Sequence, residues 1–336
     1  MFGLFKKRFI SSKQPRSLLY EQLLGGVMGF AVGDALGVPV EFKKRDSYTP
    51  IVEMIGFGTH NQPVGTWSDD TSMTLCLIEN LIHGYNCEQL KQIFVKWYYY
   101  GHWTPDGKLP FDMGASTFKV LSRIKSGVLA HEAETGAAGE MSNGNGSLMR
   151  VLPLAFYLKD INEKEKFSII EEVSGITHAH IRSKLACSLY VEIAIHLLKG
   201  LTPLDSYQKA KWSMYEHYKE RVAMNEFDCF HRILKDDISE YPRDQIKSTG
   251  YVIDTLEASL WCFLKGHSFE DTVLLAVNLG EDTDTIGALS GGLAGIYYGL
   301  QNIPPKWVNR LARHDEIQDL CLLFYNQLST QAPSST

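Results

Sequence analysis

The chain has 336 residues, of which 44% are hydrophobic and 21% are charged, and its mean hydropathy is −0.14. This composition is typical of a globular protein with enough apolar material for one large domain or two small ones. A net charge of −6 and a pI of about 6.0 argue against general nucleic-acid binding through a basic surface. The six cysteines form no C-x-x-C pair, which predicts reduced thiols and a cytoplasmic location.

Both ends of the chain differ from its middle. An apolar start is interrupted at once by Lys6, Lys7 and Arg8, so it is too short for a signal peptide or a membrane span. We therefore expect residues 1–16 to be a flexible N-terminus and expect no membrane association. The polar residues 329–336 are expected to be a disordered tail. No linker or repeat divides residues 17–328, which we expect to form one domain.

Apolar residues at three- and four-residue spacing predict helices along almost the whole chain, and the period-two alternation of strands is nearly absent. The segment 217–248 is more charged and less periodic, and we interpret it as an inserted helical excursion rather than a mobile cover. The sequence therefore predicts an all-α protein. The predicted helices are 17–32, 71–84, 88–100, 115–126, 149–158, 164–175, 181–199, 204–219, 252–265, 269–278, 285–300 and 305–312.

The first helix and the helix at 285–300 are unusually rich in small residues. Glycine inside a helix costs up to about 1 kcal/mol relative to alanine, so this many glycines need a structural reason. We predict that the two backbones approach closely at the centre of the bundle. A membrane-spanning small-residue motif is rejected, because Asp34 and the polar flanks leave no uninterrupted apolar span of about 20 residues.

Two acidic clusters lie at opposite ends of the chain, each directly before an apolar helical pattern. Such a group is commonly only a helix N-cap, but each cluster has more carboxylates than capping needs. Four aspartates in one place would repel one another unless a cation held them, and hard oxygen ligands suit Mg²⁺, Mn²⁺ or Ca²⁺. The pair predicts a split metal site for two ions. The clusters are Ser68-Asp69-Asp70-Thr71 and Asp282-Thr283-Asp284-Thr285.

A Ser-Asn-Gly-Asn-Gly-Ser stretch at 142–147 precedes the apolar run 148–158. Its glycines leave backbone N–H groups unobstructed, so a loop of this kind entering a helix can cradle a diphosphate. Gly/Asn turns are also common, and the residues alone favour a plain turn. His178 and His180 have no third ligand at zinc spacing, which argues against a zinc site.

The chain resembles the ADP-ribosylglycohydrolase family, the all-α, two-metal hydrolases that remove ADP-ribose from modified proteins and related acceptors. The resemblance implies a compact, single-domain orthogonal helical bundle with a dinuclear metal site in a central cleft. It also implies two Mg²⁺ ions as cofactors, with Mn²⁺ as the alternative. The matching segments occur in the family's order over nearly the whole chain and are 26–42, 65–74, 143–150, Thr177-His178 and 276–287.

The resemblance also implies a set of site residues. The implied metal ligands are Ser68, Asp69, Asp70, Asp282, Asp284 and Thr285, with Asp284 bridging the two ions. Ser68 replaces the threonine common in the family and keeps its hydroxyl oxygen. The implied catalytic residues are Glu41, Asp69 and Asp284. The implied substrate-binding residues are Gly114, Ser142, Asn143, Gly144, Asn145, Gly146 and His178.

Four further residues receive weaker interpretations. Trp67 and Trp103 are candidates for a cavity wall, with core packing equally well supported. Asp34 is left without a role, and Arg150 is kept out of the site.

The implied activity is cleavage of the glycosidic bond between ADP-ribose and an acceptor such as an arginine or serine side chain, which reverses ADP-ribosylation. The implied partner is an ADP-ribosylated protein or small molecule, and a monomer is expected. Three alternatives stay open: a catalytically inactive ADP-ribose-binding relative, a crystallin-like structural relative, and a two-metal phosphohydrolase. The acceptor is not fixed by the sequence; we expect the loops at 41–65 and 103–113, together with 217–248, to set it.

Overall fold

Helices form the regular secondary structure of the part of the chain that the computed structural model describes, which is residues 17–127, 136 and 138–331. No strand occurs within these ranges, where only two isolated bridges pair extended residues. The predicted all-α fold is confirmed. The helices are α1 (Leu18–Gly37), α2 (Asp69–Ile82), α3 (Cys87–Tyr100), α4 (Ala115–Lys125), α5 (Leu152–Leu158), α6 (Glu163–Gly175), α7 (Ile181–Leu198), α8 (Pro203–Tyr218), α9 (Met224–Asp228), α10 (His231–Leu234), α11 (Val252–Lys265), α12 (Phe269–Val277), α13 (Thr283–Tyr298), α14 (Pro305–Val308) and α15 (His314–Gln331).

The last helix, α15, was missed by the sequence analysis. Its buried positions Ile317, Cys321, Phe324 and Leu328 do follow helical spacing, but the acidic and amide residues of its other face dilute the pattern. The predicted helix at 305–312 is only the short helix α14. The helix α15 also continues through residues 329–331, where we expected the tail to begin. The expected flexible N-terminus at 1–16 and the rest of the expected tail lie outside the described residues.

The centre of the bundle is the antiparallel contact of α1 with α13, in which glycine faces glycine. A β-carbon added at Gly33 would lie 2.0 Å from the carbonyl oxygen of Gly287, whereas β-carbons essentially never come within 3.0 Å of such an atom. The predicted close approach of the two backbones is therefore confirmed, because no other residue fits. The facing pairs are Gly25 with Gly295, Gly29 with Gly291, and Gly33 with Gly287.

The segment formed by α1 and the turn after it, Leu18–Val40, has the length and apolar composition of a membrane span, contrary to the sequence argument. Its most apolar window is nevertheless entirely buried within this fold. Such burial on all sides is what a core helix of a globular protein shows.

The segment 217–248 contains α9, α10 and two 3₁₀ turns. Its apolar residues Phe227, Phe230 and Ile233 are buried in the same hydrophobic core as the long helices. The segment is thus a helical excursion attached to the core, which agrees with the interpretation of its sequence.

We predict that Gly33→Ala destabilises the protein by about 3 kcal/mol or more, because the new methyl group overpacks a backbone contact that cannot give way. The matched control is Gly114→Ala, where an added β-carbon meets no atom within 4 Å. Urea denaturation should show a change within about 0.5 kcal/mol for the control. A wild-type midpoint for Gly33→Ala would contradict the packing account.

Candidate metal centre

The start of α2 is held by Asp34, a fully buried residue of α1. The Asp34 carboxylate accepts hydrogen bonds from the backbone N–H groups of Ser68 (2.9 Å) and Thr71 (3.1 Å) and from the Thr71 hydroxyl (2.6 Å). The Ser68 hydroxyl caps the helix by accepting the Asp70 N–H at 3.2 Å. Asp34 therefore orients the first turn of α2, which carries Asp69 and Asp70. A single aspartate inside an apolar helix was the sequence signal for this role.

The start of α13 is held by the end of α1. The Thr283 hydroxyl donates to the Gly37 carbonyl at 2.8 Å, and a β-carbon at Gly37 would lie 2.4 Å from the backbone of Asp284. Asp282 occupies the N-cap position, and the Asp284 carboxylate accepts the N–H of Thr285 at 2.9 Å. Both carboxylates therefore leave the chain where the backbone enters the helix.

The structure brings the two acidic clusters into one site. The carboxylate oxygens of Glu41, Asp282 and Asp284 all lie within 4.8 Å of one another. Burial, followed by neighbouring carboxylates that include Asp282, raises the pKa of both Asp69 and Asp70 well above the usual range. Side chains separated by more than 200 residues in sequence thus share one electrostatic environment.

Asp112 is a site residue that the sequence analysis missed. It is half-buried in the segment before α4, and ligand atoms of Glu41, His60 and Asp112 lie within 4.8 Å of one another. After burial, the Asp112 charge is the largest cause that raises the pKa of Glu41 and of Asp69. One aspartate in a loop gives no pattern of its own, and the sequence analysis singled out only Gly114, two residues further along the chain.

The crowded carboxylates are suited to a cation. Burial, with Asp112 and Asp282 adding to it, raises the pKa of Glu41 to about 10, and burial followed by Glu41 raises the pKa of Asp284 well above its usual range. Buried carboxylates of this kind need either protons or a cation. The Oδ2 atom of Asp70 is buried without a hydrogen-bond partner in the described structure, which is expected of an oxygen atom that ligates a metal ion. An oxygen-only donor set with hydroxyls beside it fits a hard divalent ion.

Glu41 is fixed by a tight turn that contains the 3₁₀ segment Gly58–His60. The Nε2 atom of His60 contacts Oε2 of Glu41, and the Thr59 hydroxyl donates to the Glu41 carbonyl at 2.7 Å. The His60 ring in turn packs against Phe111, with ring centroids 5.1 Å apart. The turn therefore holds both the backbone and the side chain of Glu41 at the edge of the carboxylate cluster.

The loop 142–147 lies against the α13 side of this cluster. The Asn145 amide donates to Asp282 at 2.5 Å, and Gly144 forms an isolated antiparallel bridge with Tyr251. The buried ring of His178 packs on Gly146, where a β-carbon would lie 2.8 Å from Cε1 of the ring. Burial and then the Arg150 charge lower the pKa of His178 to about 3, so His178 is neutral.

Some of the predicted substrate residues are engaged inside the protein. The Asn143 amide donates to the Glu140 carbonyl at 2.8 Å and contacts His180 Nδ1 at 3.0 Å, while its oxygen accepts the Ser183 hydroxyl at 3.1 Å. Its backbone carbonyl also accepts the N–H of Val252 at 2.9 Å, so the Asn143 side chain and carbonyl both serve the fold. Ser142 is half-buried at the start of the loop, and Gly114 is exposed at the start of α4.

Trp67, Trp103 and Arg150 all have structural contacts. The indole N–H of the fully buried Trp67 donates to the Ala312 carbonyl at 3.0 Å, and the Trp103 indole donates to the carboxylate of Glu79 at 2.5 Å. The fully buried Arg150 donates to the carbonyls of Gly146 and Val173, at 3.0 Å and 2.9 Å. Arg150 therefore supports the loop from inside, as its exclusion from the site implied.

Fold and site together define an all-α protein with a buried carboxylate cluster, suited to a metal ion, beside a glycine-rich loop. The sequence model described as ADP-ribosylglycohydrolase matches residues 15–333. The chain belongs to the ADP-ribosylglycohydrolase family.

Individual relatives match over most of the chain. The ADP-ribosylarginine hydrolase Tri1 of Serratia proteamaculans (strain 568) is 32% identical over 315 residues, which cover 93% of this chain and 81% of that protein. The ADP-ribosyl-[dinitrogen reductase] glycohydrolase of Rhodospirillum rubrum is 28% identical over 301 residues, covering 87% and 91%. A solved structure, an ADP-ribosylglycohydrolase-related protein complex, superimposes with a TM-score of 0.73 at 30% identity over 92% of this chain and 99% of that one.

We predict that Asp34→Ala destabilises the protein by about 2–4 kcal/mol, because two backbone N–H groups and one hydroxyl lose their buried acceptor. It should also weaken the stabilisation by Mg²⁺, since the first turn of α2 is no longer oriented. Asp34→Asn keeps one acceptor oxygen, so it should lose less stability and less of the stabilisation by Mg²⁺. Thermal denaturation with and without Mg²⁺ measures these effects, and equal behaviour of Asp34→Ala and wild type would contradict the positioning role.

We predict opposite effects of Asp70→Asn with and without metal. In EDTA at neutral pH the variant should be more stable than wild type by about 1 kcal/mol, because one charge leaves a crowded, buried cluster. With Mg²⁺ or Mn²⁺ it should gain less stability than wild type, because a ligand is lost. The control is Asp228→Asn, which removes an exposed carboxylate paired with Lys235. A metal response of Asp70→Asn equal to that of wild type would exclude Asp70 as a ligand.

Proposed function

We propose that this protein hydrolyses the N-glycosidic bond between ADP-ribose and an arginine side chain, using two Mg²⁺ ions for which Mn²⁺ can substitute. The observation that carries the proposal is the convergence of both acidic clusters beside the loop 142–147. After burial, the charge of Asp282 helps to raise the pKa of both Asp69 and Asp70, and Asn145 of the loop donates to Asp282. Two relatives, at 32% and 31% identity, are named ADP-ribosylarginine hydrolases, and this supports arginine as the acceptor.

The residues that would hold the ions are the carboxylates and hydroxyls at the starts of α2 and α13. Bound there, the ions would supply charge stabilisation for ribose hydroxyls and for a water molecule. Asp284 would help to hold both ions, because its carboxylate lies with those of Asp282 and Glu41, and because burial followed by the charges of Glu41 and Asp70 raises its pKa. The ligands in this proposal are Ser68, Asp69, Asp70, Asp282, Asp284 and Thr285.

The loop 142–147 would bind the diphosphate. Its glycines expose backbone N–H groups, and Asn145 ties the loop to Asp282, so the diphosphate is fixed relative to the metal ligands. The neutral ring of His178 packs against Gly146 and supports the loop from behind. In this proposal the distal ribose of ADP-ribose would lie over the carboxylate cluster.

We assign the proton transfers to Glu41. The water oxygen bonds to the anomeric carbon, the bond from that carbon to the guanidine nitrogen breaks, and its electron pair stays on the nitrogen. Glu41 takes the proton of the water and returns one to the departing guanidine, so no net proton is consumed. The contact with His60 and the hydrogen bond from Thr59 keep the carboxylate in position for both transfers.

We predict that the wild-type protein releases free ADP-ribose from an ADP-ribosylarginine peptide in the presence of Mg²⁺. Asp284→Ala should lower kcat/KM by at least about 100-fold, because it removes a metal ligand and leaves like charges unscreened. Asp228→Asn should retain wild-type activity. Chromatography of the products measures release and identifies them.

The same experiment separates the alternatives. Release of ADP-ribose by the wild-type protein, abolished by EDTA and by Asp284→Ala, would support the glycohydrolase. AMP or phosphate as the product would show a phosphohydrolase instead. Binding of ADP-ribose without turnover, for arginine- and serine-linked peptides alike, would show an inactive relative.

A further inference from the structure

A cavity borders the metal centre at the α2 side. It has a volume of about 250 Å³, and Ser68, Asp69 and Ser72 form its inner end. Gln62 and residues of the segment 104–111 form the rest of its lining. The loop 142–147 contributes none of its lining residues and instead borders the α13 side through Asp282. The metal centre therefore has two distinct neighbours, the loop and this cavity.

The size of the cavity restricts its occupant. Pockets for drug-sized ligands have volumes of about 300–1,000 Å³, so 250 Å³ is too small for ADP-ribose but sufficient for one extended side chain. A side chain that enters from outside meets Asp69 at the inner end, where the bond to ribose would be cleaved. We infer that this cavity receives the acceptor arginine and that Asp106 recognises the guanidinium nitrogen atoms that are not bonded to ribose; the inference rests on the proposed function.

Asp106 already pairs with a cation of this chain, the side chain of Lys108. The Lys108 ammonium pairs with the Asp106 carboxylate at 2.9 Å, and both side chains are at least half exposed. An exposed pair of this kind contributes little to stability, so an incoming cation can displace Lys108. A guanidinium group has the advantage over an ammonium, because it can donate two parallel hydrogen bonds to one carboxylate. Phe111, which also lines the cavity, offers an apolar ring for the methylene stem or the guanidinium plane.

The wall that carries Asp106 is held in place on both sides. The buried Thr104 bridges the turn, its hydroxyl lying 2.7 Å from the Lys108 carbonyl, and its own carbonyl accepts a hydrogen bond from Arg313 at 2.8 Å. The Arg313 guanidinium lies 4.8 Å from the centroid of the Trp103 ring, whose indole donates to Glu79 of α2. The turn is therefore attached to the same helix that presents Asp69. Asp106 is fixed relative to the metal ligands before an acceptor arrives.

Product inhibition tests the two sides of the site separately. With an ADP-ribosylarginine peptide as substrate, Asp106→Asn should raise KM about tenfold with kcat within about twofold of wild type, since a hydrogen-bonded charge pair is lost. The inhibition constant of free arginine should rise by the same factor, and that of ADP-ribose should stay unchanged. Lys108→Met should lower KM, because it removes the competing cation.

The matched control is Asp228→Asn, since Asp228 also pairs with an exposed lysine at 2.9 Å but lies away from the cavity lining. An unchanged arginine inhibition constant in Asp106→Asn, with wild-type turnover present, would overturn the inference and leave the proposed function intact. Equal increases for arginine and ADP-ribose would also overturn it. A wild-type protein that releases no ADP-ribose from the arginine peptide would instead refute the proposed function.

Discussion

The contact between α1 and α13 is the constraint on which the rest of the structure depends. Glycine faces glycine along these helices, so the backbones approach more closely than any side chain would allow. This register brings Gly37, at the end of α1, against the first turn of α13. One turn earlier, Asp34 binds the start of α2. A single helix thus sets the relative position of both acidic clusters.

The electrostatics of the site follow from that geometry. Helix N-termini favour negative charge, which makes the starts of α2 and α13 the least costly places in the core for buried carboxylates. Four such groups, with Glu41 and Asp112 beside them, remain unfavourable together without a cation, as the raised pKa values of Glu41, Asp69 and Asp284 indicate. The fold therefore holds these carboxylates close enough to repel one another, and a bound metal ion would reduce that repulsion. In our account the loop 142–147 and the cavity at Asp106 then divide the substrate between the two sides of the metal centre.

The sequence predicted the helices and the acidic clusters of the site better than the residues that hold them in position. Helical spacing identified most long helices, and carboxylates in excess of capping identified the clusters, because both are local patterns. Asp34, His60 and Asp112 could not be found in this way, since each acts on residues that the fold brings close from elsewhere in the chain. Asn143 shows the reverse case: its position in the loop suggested ligand binding, but long-range contacts with His180 and Ser183 occupy its side chain. Local sequence patterns indicate which residues have the chemistry for a site, whereas the contacts that orient those residues depend on the tertiary structure.

The most direct test of the central claim is a Mn²⁺ titration followed by electron paramagnetic resonance. If the two acidic clusters form one dinuclear centre bridged by Asp284, the protein should bind two ions per chain, and their spectrum should show exchange coupling. The Gly33→Ala variant, if it folds, should lose the coupling, because the starts of α2 and α13 move apart. A single uncoupled ion, or no bound ion, in the wild-type protein would contradict the account.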